Sequence, residues 1–215
     1  MNTSTVKRNL HLFLLLWLVI ACVRPANVVV PTTAQSVHLS LGNPSNARPT
    51  TNSPDNFLIT LPQYALSYNR SKAYANWVSW ELTDAWLGDA ERQNDFRPDP
   101  VLPNEWYAVS PNDYTNTGFD RGHLCPSADR TASEEDNSST FLMTNIIPQA
   151  PELNREAWAR LEAYCRTLAN EGYRLLIIAG TYGTGGEGSN GMLNSIQDKI
   201  EVPARNYKVI VAIPQ

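Results

Sequence analysis

Histidine and cysteine are scarce in this chain, with three of each among 215 residues. Three cysteines exclude a disulfide-dense scaffold and a four-cysteine zinc site. So few histidines leave no room for a histidine-rich catalytic zinc centre. No apolar stretch reaches the roughly 18 to 20 residues of a membrane-spanning helix. Positive charge is also short: 17 Lys and Arg stand against 21 Asp and Glu, a formal charge of −4 that argues against a histone-like or basic-tail mode of nucleic-acid binding. No internal repeat occurs. What remains is 42% apolar, enough for one domain with a substantial core.

Residues 1–22 read as an export signal. Lys7 and Arg8 precede a short apolar run over residues 10–19, with small residues after it. Two readings of its end stand open: a lipoprotein signal that makes Cys22 the lipidated first residue, or an ordinary cut after Ala21 or slightly later. Either places the mature protein outside the cytoplasm, secreted, periplasmic or held at the cell envelope. Removing Lys7 and Arg8, with no acid lost, takes the charge from −4 to −6. Residues 23–55 are rich in Pro, Ser, Thr and Asn and read as a tether followed by the entry to a domain over residues 56–215.

Within that domain, residues 57–61, 64–68 and 75–82 are β-prone runs divided by turn residues, and residues 98–111 form a proline-punctuated loop. Residues 174–179 (RLLIIA) read as a buried strand, and Val202 with residues 207–213 as a further strand pair. The best helix starts near Leu153 or Asn154 and runs to about Ala169. Trp158, Leu161, Cys165 and Leu168 supply its apolar face, and Gly172 supplies the left-handed residue after it. Strands on both sides of one long helix, without regular βαβ alternation, predict an α+β fold. The tryptophans are expected in the core. The glycine-rich run over residues 180–188 lacks a Gly-Lys-Ser/Thr ending and reads as a hairpin-like connection, not a phosphate loop.

His11 falls in the signal and His38 in or beside the tether, which leaves His123 as the only histidine expected inside the folded body. It follows Asp120-Arg121-Gly122, a segment read as neither a simple strand nor a helix interior. An imidazole of near-neutral pKa is a natural acceptor for the proton of an attacking water, and a neighbouring arginine can hold a phosphate. A lone histidine is more often structural, so the helix matters. Asn154, Trp158, Glu162 and Arg166 recur every fourth residue along one side. An amide and a carboxylate suit a hard cation, but about 12 Å of helical rise separates Asn154 from Glu162. Both can ligate one ion only if the helix is distorted. Asn154 is then the better direct ligand. A Glu162–Arg166 pair on a solvated face is the plainer alternative.

Taken together, Asp120-Arg121-Gly122-His123, then Asn145-Ile146-Ile147-Pro148-Gln149, then Asn154, Trp158, Glu162 and Arg166 resemble the DNA/RNA non-specific endonucleases. The resemblance runs from about His38 to the last residue, and YALSYN, ANWVSW and RPDP resemble the cyanobacterial-type members. It implies a central antiparallel sheet flanked by helices, with a ββα-metal active-site motif. It implies a secreted endonuclease that cuts DNA and RNA with little sequence or sugar preference and leaves 5′-phosphates. His123 would be the general base and Asn154 the single direct protein ligand of Mg²⁺, for which Mn²⁺ can substitute. Glu162 would order the surrounding waters, and Arg92, Arg121 and Arg166 would bind phosphate. Asp120 and Asn145 would support the site. DNA and RNA are the implied substrates, and a polypeptide inhibitor is a further candidate partner.

Seven arginines in or near the motif segments (Arg92, Arg97, Arg121, Arg130, Arg155, Arg160 and Arg166) set an upper bound on a local basic patch. For Cys125 and Cys165 a disulfide pinning loop to helix and a pair of buried free thiols are both open. Catalysis by cysteine is disfavoured, with no second histidine expected in the domain to pair with it. Family members usually continue past Gln215, so the resemblance also implies a shortened C-terminus. That leaves a competing reading, a surface-tethered nucleic-acid-binding protein that does not cut.

Overall fold

The computed structural model describes residues 36–215. The export signal, Cys22 and the first part of the expected tether lie outside the described residues.

Turn residues cut the first part of the domain into β1 (Phe57–Thr60), β2 (Ala65–Asn69) and β3 (Tyr74–Leu82). After the proline-rich loop come β4 (Asp120–His123), α1 (Glu134–Ser139) and β5 (Ile146–Gln149). A π-helical segment (Leu153–Trp158) then runs directly into α2 (Ala159–Asn170). The remainder is extended: β6 (Tyr173–Thr184), β7 (Gly186–Gly188), β8 (Gly191–Leu193), β9 (Ser195–Ile196), β10 (Ile200–Glu201) and β11 (Pro203–Pro214). Five strands make one antiparallel sheet in the order β1-β2-β3-β6-β11, while β4–β5, β7–β8 and β9–β10 form separate pairs. This is the α+β architecture with a central antiparallel sheet that the sequence implies.

Side-chain alternation sends β2 and β3 into two cores. Leu66, Val78 and Trp80 join the main cluster with Ile146, Ile147, Cys165 and Ala169, so β5 and α2 cover that face. Ala65 and Trp77 point the other way and pack with Leu39 and Ala47. That second face corrects the boundary at residue 56. Residues 36–55 are folded onto the sheet because Trp77 and Ala65 need cover, and polar composition alone had disguised them as tether.

His38 is corrected with them: it lies inside the folded body, 2% exposed. Its Nε2–H donates to the Pro62 carbonyl at 2.6 Å, and its Nδ1 accepts the Glu81 amide at 3.1 Å. Both ring nitrogens are thus engaged by backbone, which holds the neutral tautomer, and burial lowers its pKa.

Two further differences concern the C-terminal strands. Residues 203–214 form one strand, not two, because they pair continuously along β6 from Pro203↔Thr184 to Pro214↔Tyr173. The same pairing draws Gly180 through Thr184 out of the expected connection and into β6. Gly172 takes the predicted left-handed backbone (φ +88°) just past α2.

His38→Ala should destabilise the chain by about 2–4 kcal/mol, since it leaves a buried carbonyl and amide unpaired and opens a void. Urea unfolding should show a lower midpoint with an unchanged slope; an unchanged midpoint would contradict the role given to this ring.

Candidate active site

The Asp120–His123 segment is a strand after all, paired antiparallel from Asp120↔Gln149 to His123↔Ile146. It is only four residues long and pairs only with β5, which is why a segment bearing glycine and charges can adopt it. Gly122 is required: a Cβ there would meet Gln149 Oε1 at 2.2 Å and Gln149 Cβ at 2.6 Å. Immediately after His123, the Asn145 side chain accepts the Cys125 amide and donates to the carbonyls of Cys125 and Thr140, each at 2.9 Å. That triple bond set clamps the chain leaving β4 to the start of β5.

His123 is 9% exposed, with Phe96 at 5.4 Å and Phe141 edge-on at 4.9 Å between ring centroids. The outer faces of the same two phenylalanines carry cations, Arg121 over Phe96 at 4.3 Å and Arg92 over Phe141 at 4.8 Å. Arg92 also donates to the Ser127 hydroxyl. Neither arginine forms an ion pair with a carboxylate among the described residues. Burial, and then the charges of Arg92 and Arg121, press the His123 pKa down to about 3. The ring is therefore neutral at any ordinary pH. Its Nε2 is enclosed without a hydrogen-bond partner, which leaves Nδ1 as the nitrogen that can reach open space.

That space is a cavity of about 180 Å³ whose lining includes His123, Arg92, Arg121, Asn154, Glu162 and Ser127. Five of the residues singled out from the sequence therefore meet on one cavity. Arg92, Arg121 and Asn154 also line an adjoining cavity of about 400 Å³.

Asn154 sits in the π-helical segment, the distortion that a shared site with Glu162 demands; such bulges are frequent at functional sites. Its Nδ2 donates to Asp120 Oδ2 at 2.8 Å, while Arg155 grips both oxygens of Asp120 at 2.9 and 2.7 Å. With the amide nitrogen committed, the oxygen is the end offered to the cavity. Glu162 accepts a bond from Lys208 Nζ at 2.7 Å, and burial raises its carboxyl pKa while Lys208 opposes the rise.

Arg166 stands apart. It pairs with the buried Asp129 at 2.9 Å and lines neither cavity. The helix-face alternative is corrected too, since Glu162 and Arg166 each pair with a residue from elsewhere in the fold. Of the other arginines, Arg97 pairs with Asp95, Arg155 with Asp120 and Arg160 with Glu156. Arg130 is fully buried among the carbonyls of Gln63, Glu81 and Asp129. The basic patch thus narrows to Arg92 and Arg121.

The Cys125–Cys165 disulfide is not formed: both residues are buried free thiols in the main core. Burial pushes Cys125 up to about 12 and Cys165 to about 11, so neither ionises to a nucleophile.

A family model described as DNA/RNA non-specific endonuclease matches residues 41–215. The chain belongs to that family. A nuclease of a Nostoc species is 49% identical over 200 residues, which cover 91% of this chain and 70% of that protein. The mitochondrial nuclease EXOG of Mus musculus is 34% identical over 69% of this chain, which spans 42% of the mouse protein. Among solved structures, the complex of EndoG with EndoGI aligns with a TM-score of 0.63 at 27% identity, covering 72% of this chain and 66% of that one.

Sequence reasoning missed several residues of this endonuclease-family site: Phe96, Phe141, Ser127, Arg155 and Lys208. Phe96 lies between Arg92 and the RPDP run, where only the charged residues carried a signal. Arg155, beside Asn154, could have been raised as a partner for a nearby acid. Ser127, Phe141 and Lys208 act across distant parts of the chain and gave no local signal.

Two outcomes follow from this geometry. Because folding lowers the His123 pKa from 6.5 to about 3, its contribution to stability is whole above pH 6.5. It is lost as pH falls toward 3, at about 1.4 kcal/mol per pH unit. Urea unfolding between pH 7 and 4.5 should show a steeper loss for the unmodified chain than for His123→Gln, and equal slopes would contradict the burial argument. Gly122→Ala should destabilise by about 2 kcal/mol or more, through overpacking against the enclosed Gln149; a midpoint within error of the unmodified chain would contradict the contact.

Proposed function

We propose that this chain is a metal-dependent endonuclease that hydrolyses the phosphodiester bonds of DNA and RNA. The carrying observation is one cavity lined by a neutral imidazole, an amide oxygen, a carboxylate and two guanidinium groups without carboxylate partners. Those are the parts that water attack on a phosphodiester requires: a base, oxygen donors for a hard cation, and cations for the non-bridging oxygens.

The donor set fits a magnesium-sized ion. Among the described residues no three His, Cys, Asp or Glu side chains cluster as metal ligands, so a protein cage is not on offer. A single amide oxygen with one nearby carboxylate instead suits an ion that keeps most of its water, as Mg²⁺ does. Asn154 would hold it directly and Glu162 would steady the water around it, with Mn²⁺ as the natural substitute. When bound, such an ion offsets the charge that develops on the phosphate and on the departing 3′ oxygen.

The chain's own residues do the rest. His123 takes the proton of the attacking water at Nδ1. An imidazole held at a pKa of about 3 is a weak base in the free protein, and the charge of an arriving phosphate partly cancels the two arginines that depress it. Arg92 and Arg121 grip the non-bridging oxygens, each already braced on a phenylalanine face. These contacts fall on the backbone of the nucleic acid, so sequence and sugar count for little and the products carry 5′-phosphates. We assign Arg166 no phosphate contact, because Asp129 holds it.

The proposal includes export, on the strength of Lys7, Arg8 and the apolar run that follows, with lipid attachment at Cys22 as one form of it. A polypeptide inhibitor belongs to it as a partner, since the EndoG structure that this fold matches is that of an inhibitory complex.

Plasmid nicking and RNA degradation with Mg²⁺, with EDTA and with His123→Ala test the proposal. Cleavage of both substrates with Mg²⁺, none with EDTA, and a loss of roughly 100-fold or more in His123→Ala are expected. Retained nucleic-acid binding without metal-dependent cleavage in the unmodified chain would contradict it and favour the inert binder.

A further inference from the structure

On β11 the residues at positions 209, 211 and 213 are exposed, while Ile210 on the opposite face packs against the main core. Lys208 shares that inward face, and its side chain is 2% exposed where an apolar residue would be expected. The buried charge has a destination. The Lys208 ammonium lies 4.3 Å from the Trp158 ring centre and 5.5 Å from that of Trp80, and its one carboxylate partner is Glu162 at 2.7 Å. Among the described residues, Glu162 is the only carboxylate that lines the cavity with His123. Trp158 is the last residue of the π-helical segment that carries Asn154.

We infer that Lys208 is a positioning residue for phosphodiester cleavage, a buried cation that holds the Glu162 carboxylate in place and aimed into the cavity. Two tryptophan faces and one ion pair compensate the burial of its charge, and a hydrophobic residue would fill the same space with less desolvation. Such an arrangement is kept where a site needs the charge. Lys208 is not among the residues that line the cavity with Glu162, Arg92 and Arg121, so its work is on the carboxylate and not on the substrate.

The inference rests on the proposed endonuclease function, and its test separates the two. In the unmodified, metal-free chain, ¹⁵N-lysine NMR should show one ammonium protected from exchange, shifted by Glu162→Gln; no protected ammonium would overturn the pair itself, whatever the activity. Lys208→Met should lower kcat roughly tenfold or more with KM within about twofold, and Lys208→Arg should restore most of it. In a Glu162→Gln background, Lys208→Met should add nothing; an equal further fall would mean that Lys208 acts independently of Glu162 and would overturn the inference.

Mn²⁺ binding to the substrate-free protein, read by electron paramagnetic resonance, gives a sign that a bystander charge cannot. Removing a nearby cation should tighten Mn²⁺, whereas losing the aim of Glu162 should weaken it about fivefold. Tighter or unchanged binding in Lys208→Met overturns the inference. Should Lys208→Met fail to fold, Lys208→Gln is read in the same way. A chain with no metal-dependent cleavage at all overturns the functional proposal, while the NMR and Mn²⁺ readouts still decide the role of Lys208.

Discussion

The bond from the Asn154 amide nitrogen to Asp120 is the constraint on which the site turns. An asparagine amide presents either an oxygen or an NH₂ group to a cavity, and only the oxygen can serve a cation. Asp120, itself gripped on both oxygens by Arg155, removes that freedom. The strand places Asp120, and the π-helical segment turns Asn154 toward it. The first residue of the DRGH motif therefore contributes by deciding what the asparagine offers, while its last residue is the base of the proposed reaction.

Charge is organised on the same local scale. The chain carries a formal charge of −4, yet the cavity wall presents two guanidinium groups that form no ion pair among the described residues. The phenylalanines beneath them serve twice, bracing the cations and closing off the His123 ring. In the proposed reaction this couples substrate binding to basicity: burial first, and then the two arginines proposed to take phosphate, lower the imidazole pKa. On the far side of Glu162, a buried lysine and two tryptophans complete the arrangement.

Much of this was legible in the sequence, because the informative signals are local. Short β-prone runs between turn residues became β1, β2 and β3, and the apolar spacing after Leu153 became a helix with Gly172 at its end. The family resemblance placed His123, Asn154, Glu162, Arg92 and Arg121 together, and also Arg166, which the fold instead pairs with Asp129. What was not legible depends on packing between distant segments. Composition made residues 36–55 look like tether, whereas the second face of the sheet needs them. Spacing on a helix suggested a Glu162–Arg166 pair, but Lys208 and Asp129, brought in by the fold, compete for each partner and win. For Cys125 and Cys165, export chemistry admits a bridge, and the fold leaves both as free thiols.

The central claim is that the Asn154 oxygen and the His123 ring share one site for a divalent ion. Paramagnetic broadening by substoichiometric Mn²⁺ in ¹⁵N-labelled, substrate-free protein tests it most directly. The Asn154 side-chain amide and the His123 ring should broaden before any other signals. Broadening centred instead on Glu152 and Glu187, which line a separate cavity of about 390 Å³, would contradict the claim.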